Sequence, residues 1–211
     1  MLNKIAKGIL AGTMISIGGT VFLSLAETSK IAGAIFFSVA LLCICMQGYS
    51  LYTGKIGFIL SDHSKDAMGD IWFGLLGNII ATVVFGIALG YAIPNIVEAA
   101  KPICESKLEQ EWLGTLIRSV FCGMLMYQAV SIYKKQEKNV FGILFCVPVF
   151  ILSGFEHSIA NMFYFSAAGM YSFDVIIYML IVLVGNSIGG IFFELLTLPF
   201  NKNKKAEESG K

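Results

Sequence analysis

The sequence predicts an all-α integral membrane protein of six transmembrane helices. They form an inverted repeat of three plus three, with the second and fifth helices broken. Three observations predict it. Of 211 residues, 56% are apolar and only 29 are charged, 15 Lys and Arg with 14 Asp and Glu. Soluble domains carry about a quarter charged residues, and a mean hydropathy of +0.76 leaves too little polar surface to face water. Charge-free windows recur at the length of about 20 residues that a membrane helix needs. Six of them fill the chain and leave no room for a separate soluble domain. Finally, the two halves share a spaced pattern of small and polar residues.

The windows run in order. Gly8–Ala26 lies between Lys7 and Glu27, and Ile31–Gly54 between Lys30 and Lys55. Ile71–Val97 lies between Asp70 and Glu98. Trp112–Tyr133 is interrupted only by Arg118. Val140–Phe155 stops at Glu156, an uncharged stretch resumes from 157 to 173, and Val175–Phe193 is the last. The first window has the outline of a signal peptide, with Lys4 and Lys7 before it and Ser24-Leu25-Ala26 as a cleavage site. Its apolar stretch is longer than a signal core, so it reads as an uncleaved span.

Lysine placement sets the orientation. Eleven lysines (4, 7, 55, 65, 134, 135, 138, 202, 204, 205 and 211) fall on one side, and three (30, 101 and 107) on the other. Both termini are therefore expected in the cytoplasm, with residues 1–200 forming the pore domain and 201–211 a disordered tail. A net charge of +1 argues against nucleic acid as a partner. Two histidines, His63 and His157, exclude chemistry built on histidine clusters, and no metal or cofactor is expected. Four of the five cysteines lie in spans, where cysteine behaves as a small apolar residue. Cys104 is expected to face outward without a mate, and no chemistry is assigned to the set.

Gly77-Asn78 in the third span matches Gly185-Asn186 in the sixth, an offset of 108. The second span ends in Gly48-Tyr49-Ser50-Leu51-Tyr52-Thr53, and the fifth breaks at Ser153-Gly154-Phe155-Glu156-His157. Aligning Thr53 with His157 gives an offset of 104. Three spans per half is odd, so the halves are inverted. Paired broken helices in inverted repeats point to a substrate site at the midplane, because open backbone there is tolerated only when buried in protein or lining a cavity. The plain alternative is glycine kinks without a cavity.

Glu156-His157 lies in mid-membrane, where ionisable groups are costly and usually functional. Histidine is the side chain whose ordinary pKa lies near neutrality, although a lone membrane histidine also serves as a hydrogen bond between helices. Glu156 has two readings, orienting His157 or clamping the loop by accepting backbone N–H bonds. Arg118 also has two, reaching out to the membrane face or facing a cavity that attracts anions. Phe37, Leu41 and Phe150 precede the breaks, and each taken alone reads as packing.

The segment 153–162, SGFEHSIANM, closely resembles the hallmark of the formate/nitrite transporter family. Ala11-Gly12 with Ile15-Ser16-Ile17-Gly18, Leu51-Tyr52-Thr53, Gly77-Asn78 and Gly185-Asn186 extend the resemblance along nearly the whole chain. It implies an aquaporin-like subunit in a homopentamer, with one pore per subunit for small monovalent anions such as formate, nitrite, hydrosulfide or lactate. It implies His157 as the central pore histidine and Thr53 as its partner. Phe37 and Phe150 become the outer constriction, Leu41 and Tyr52 the inner one, and Asn186 a residue near the pore. Two departures stand out. The family usually has a lysine shortly before the fourth span, where this chain has Glu111, and Lys107 or Arg118 are the substitutes at hand. It often has an asparagine in the fourth span, where this chain has Tyr127.

The resulting expectation is a channel or transporter in the bacterial cytoplasmic membrane, working with protons. Formate is favoured by phenylalanine at both outer positions. A bare anion in an apolar ring carries a desolvation penalty of several kcal/mol, which a proton or strong hydrogen bond from His157 relieves. The two half-helix N-termini are expected to add to this. The alternatives are another anion of the same family, a pore for small neutral solutes, or a membrane scaffold. No nucleophile–base pair marks an enzyme.

Overall fold

The computed structural model describes residues 1–199, so the expected disordered tail, 201–211, lies outside the described residues. The elements are α1 (Leu2–Leu25), α2 (Lys30–Gln47), α3 (Tyr52–Lys55) with a 3₁₀ turn over Ile56–Phe58, α4 (Lys65–Ala92) and α5 (Pro94–Leu108). There follow α6 (Trp112–Lys135), α7 (Phe141–Leu152) and α8 (Ser158–Ala167). The last is α9, whose membrane-crossing part is Phe173–Pro199. Five helices, α1, α2, α4, α6 and α9, are long and apolar enough to cross a membrane, while α7 and α8 are two shorter helices separated at residues 153–157.

Local chemistry sets these ends. The Ser29 hydroxyl accepts the Ala32 N–H at 3.3 Å to open α2, and Ser64 accepts the Ala67 N–H at 3.2 Å to open α4. The helices α2 and α7 stop at Gly48 and Gly154, both at φ +68°, a left-handed geometry that glycine reaches without strain. The third span ends before its charge-free window does. It ends at Ala92, and Pro94 starts a new helix at the position where a missing N–H does no harm. That helix, α5, lies between the two halves. Ile96, Ala100 and Cys104 form its buried face, and Glu98, Lys101 and Glu105 point away. Cys104 is buried, and burial pushes its thiol up to about 12.

The halves pack alike. In each, the first and third helices are the closest pair (α1 with α4, α6 with α9), and the first also flanks the broken one. The halves then cross over: α8 packs on α4, the 3₁₀ turn packs on α9, and α2 meets α7. The outer faces carry Phe36, Val84, Phe145 and Leu180, all exposed, as a lipid-facing surface requires.

Backbone geometry sets the repeat register. Gly48 corresponds to Gly154, and Leu51, the residue just before α3, corresponds to His157, the residue just before α8. Both offsets are 106. The sequence alignment of Thr53 with His157 is therefore two residues out. Those two side chains meet across the molecule, but they do not occupy equivalent places in the repeat.

Small residues permit the closest packing. A methyl group on Gly77 would lie 2.3 Å from the Ile5 carbonyl oxygen, and one on Gly189 would lie 1.9 Å from that of Val120. Backbone cannot yield as a side-chain tip can. Gly189→Ala is therefore expected to destabilise the protein by about 1–3 kcal/mol through overpacking. Gly114→Ala has nothing within 4 Å of the added carbon and should not lower stability. Thermal unfolding in detergent compares the two.

Candidate functional site

Each break leaves backbone polar groups inside the bundle, and one buried asparagine serves each. The Asn78 Oδ1 accepts the Tyr52 N–H at 2.9 Å, while its Nδ2 donates to the Ser50 and Gly8 carbonyls at 2.9 and 2.8 Å. In the other half, the Asn186 Oδ1 accepts the Ser158 N–H at 2.9 Å. Its Nδ2 donates to the Glu156 and Ser119 carbonyls at 2.7 and 2.8 Å. Each asparagine ties its break to the first helix of its own half. Asn186 thus holds the loop and does not touch His157's ring.

The two breaks meet at Thr53 and His157, whose Oγ1 and Nε2 are 2.9 Å apart. Both residues are buried. The His157 Nδ1 accepts the Ala160 N–H at 3.1 Å and so caps α8. A backbone N–H only donates, which leaves Nδ1 unprotonated and puts the proton of the neutral ring on Nε2. His157 therefore points an N–H at Thr53, and a second proton enters only by giving up the cap. The ring of Phe150 stacks on His157 at 5.4 Å and 22°, and Phe37 meets Phe150 edge-on at 6.3 Å.

The helix-terminus contribution is smaller than expected. The helix α3 is one turn of four residues, and the Tyr52 and Ser158 N–H groups that would face an anion are taken by the asparagines.

A cavity of about 410 Å³ opens on the α5 side. It reaches Phe150, His157 and Ala160 and carries Lys30, Lys107 and Arg118. Arg118 lines this cavity and is also exposed, so both of its readings fit the structure. Glu156, 1% exposed, accepts from Lys107 in an ion pair, from Gln110 Nε2 at 3.1 Å and from Asn161 Nδ2 at 2.8 Å. Neither sequence reading of Glu156 describes this. Among the described residues its carboxylate accepts no backbone N–H and makes no hydrogen bond to the His157 ring, but joins α5 to α8 through side chains. With one carboxylate against three cations, the cavity is net positive.

A second cavity, of about 130 Å³, lies on the opposite side and is lined by Leu41, Leu51, Val130 and Ile44 among others. No residue lines both cavities. Tyr52 is not part of the inner lining. Its hydroxyl turns away to donate to Ser187 Oγ at 2.8 Å, since the Ser187 hydroxyl itself donates to the Leu183 carbonyl. Leu51 and Val130, which sequence reasoning missed, stand there with Leu41. The signal for Leu51 was its place two residues before Thr53, in the register of the repeat. Gln110 and Val130 carry no signal of their own.

Comparison with known proteins places this geometry. A family model described as formate/nitrite transporter matches residues 1–200. Similar proteins include a formate-nitrite transporter of Entamoeba histolytica, 27% identical over 94% of this chain and 63% of that protein. Another is a formate-nitrite transporter of Plasmodium falciparum, 26% identical over 94% of this chain and 77% of that protein. The chain thus spans under two thirds of the Entamoeba relative. Among solved structures, a pentameric formate channel with formate bound matches at TM-score 0.78 and 20% identity, covering 91% of this chain and 93% of that one. An FNT family ion channel matches at TM-score 0.80 and 20% identity, covering 95% and 90%. The likeness to these structures is one of fold.

The Lys107–Glu156 pair generates a test. Lys107→Gln strands a buried carboxylate and is expected to cost about 3–5 kcal/mol. The double variant Lys107→Gln with Glu156→Gln should recover much of that loss. A double-mutant cycle on thermal unfolding measures the coupling.

Proposed function

The chain belongs to the formate/nitrite transporter family, and within that family we propose that it forms a pore for small monovalent anions of weak acids, with formate as the main substrate. The observation that carries this reading is the Thr53–His157 contact, placed where two broken helices meet and between two separate cavities.

The path follows from the lining. An anion gathers in the 410 Å³ cavity, drawn by Lys30, Lys107 and Arg118. It then meets an apolar constriction at Phe37 and Phe150, which excludes large or strongly hydrated ions. A bare anion there loses its water shell at several kcal/mol. The His157 Nε2–H, released from Thr53, gives the one strong hydrogen bond available at that point. With its Nδ1 engaged by Ala160, the resting ring is a neutral donor. Further protonation accompanies loss of the α8 cap, which couples anion passage to protons. The anion leaves past Leu41, Leu51 and Val130.

The lysine bias puts both termini in the cytoplasm of a multi-pass membrane protein, so the 410 Å³ cavity faces outward. A pentameric formate channel shares the fold, which supports a homopentamer with one pore per subunit. Keeping phenylalanine at both constriction positions favours formate over nitrite and hydrosulfide. The fold serves passage through a membrane, and the reading is one of transport rather than catalysis.

Flux into proteoliposomes tests this. Formate, nitrite and hydrosulfide are compared at about pH 5 and about pH 7, on either side of the ordinary pKa of a free histidine. Formate uptake is expected to lead and to rise in acid. In His157→Asn the side chain still caps α8 but cannot titrate, and the acid stimulation should vanish. An unchanged flux and pH profile in that variant would remove His157 from the mechanism.

A further inference from the structure

Beyond the 130 Å³ inner cavity lies a third cavity, of about 250 Å³, toward the side that carries the N-terminus. It is lined by Phe58, Ser61, Asp62, Asp66 and Asp70 among others. The inner cavity and this mouth share two lining residues, Lys55 and Lys134. The boundary between them is therefore framed by two ammonium groups.

The two lysines are not equivalent. Lys55 donates to Asp70 at 2.7 Å, and Lys4 stands 3.9 Å from the same carboxylate while pairing with Asp66. Those acids are thereby engaged. Lys134 forms no ion pair among the described residues. Its Nζ sits 3.9 Å above the centre of the Phe58 ring, a contact that holds a cation in place without neutralising it. Phe58 is held in turn by Tyr127, with ring centres 4.8 Å apart. Tyr127 is buried, and its hydroxyl meets Thr197 Oγ1 at 2.9 Å. Tyr127 thus acts as the platform for the aromatic–lysine pair. Asp62 and Glu194 are the other acids of this region. Asp62 accepts the Ser64 N–H at 3.1 Å, and Glu194 accepts the Leu60 N–H at 2.9 Å and a Ser61 hydroxyl bond. Both carboxylates accept bonds from residues 60–64, and both keep their charge in the neighbourhood of Lys134.

We infer that Lys134, held over Phe58 and assisted by Lys55, is a binding station for the permeating anion at the inner end of the pore. This deepens the anion reading and rests on it. The station lies on the far side of Leu41 and Leu51 from His157. An anion that has crossed the apolar plug is met there by a cation before it reaches water. An anion coming from the mouth is met by that cation before it enters the plug. Lys134 then sets apparent affinity more than the rate through the plug, and Phe58 is its positioning residue.

The test is formate uptake by proteoliposomes carrying the full chain, as a function of formate concentration and of ionic strength. Losing a charge-assisted contact is expected to raise the half-saturating formate concentration about tenfold in Lys134→Gln and to flatten the salt dependence. Lys134→Arg should restore both, and Phe58→Leu should fall between. Size-exclusion profiles of the variants check assembly, and the arginine variant guards against a merely folding effect. A wild-type protein that passes formate, beside a Lys134→Gln protein with unshifted half-saturation and unchanged salt dependence, overturns the station alone. A wild-type protein that passes no anion overturns the anion reading beneath it.

Discussion

A polypeptide cannot stop being a helix inside a bilayer without finding partners for the amides it frees. The whole centre of this molecule answers that constraint. Two breaks face each other, and each is closed by one asparagine that accepts an N–H and donates to two carbonyls. An unpartnered buried amide costs about 1–3 kcal/mol, so neither break would persist without its clamp. Those clamps fix the loops. The loops in turn place Leu51 and His157 at the starts of α3 and α8, and only then can Thr53 and His157 meet.

The clamps also explain the glycine-rich seams. Asn78 reaches the Gly8 carbonyl and Asn186 that of Ser119, so the third helix of each half must lie close to the first. Gly77 and Gly189 allow that approach. In a membrane, where lipid is as apolar as the helix surface, such packing and such hydrogen bonds replace the hydrophobic drive of water-soluble cores.

Much of this was legible in the residues. Charge-free windows marked the spans because apolar length is what a bilayer demands. The Gly-Asn pair recurred with its offset because both copies do the same work. The resemblance also pointed to His157, Thr53, Phe37 and Phe150, which the structure brings into one chain of contacts, and to Leu41, which lines the inner cavity. Other features were hidden for physical reasons. Pro94 sits within a continuous apolar window, and only its backbone consequence reveals that α5 is a separate helix. Tyr52 neighbours Thr53 in sequence, but its buried ring points its hydroxyl at Ser187, and Leu51 lines the inner cavity instead. The partners of Glu156 come from α5 and α8, and no local pattern announces a contact made across some fifty positions. Pairing Thr53 with His157 in the repeat mistook a contact for an equivalence.

That last distinction has its own consequence. The scaffold is twofold, with matching glycine turns, asparagines and helix starts, yet the two helix-start positions carry leucine in one half and histidine in the other. A doubled frame has divided its labour: one copy presents an imidazole N–H and the other an apolar leucine side chain. The frame fixes where the two positions stand and leaves open what stands there. The two matching places can therefore differ in chemistry while the helices around them keep the same packing.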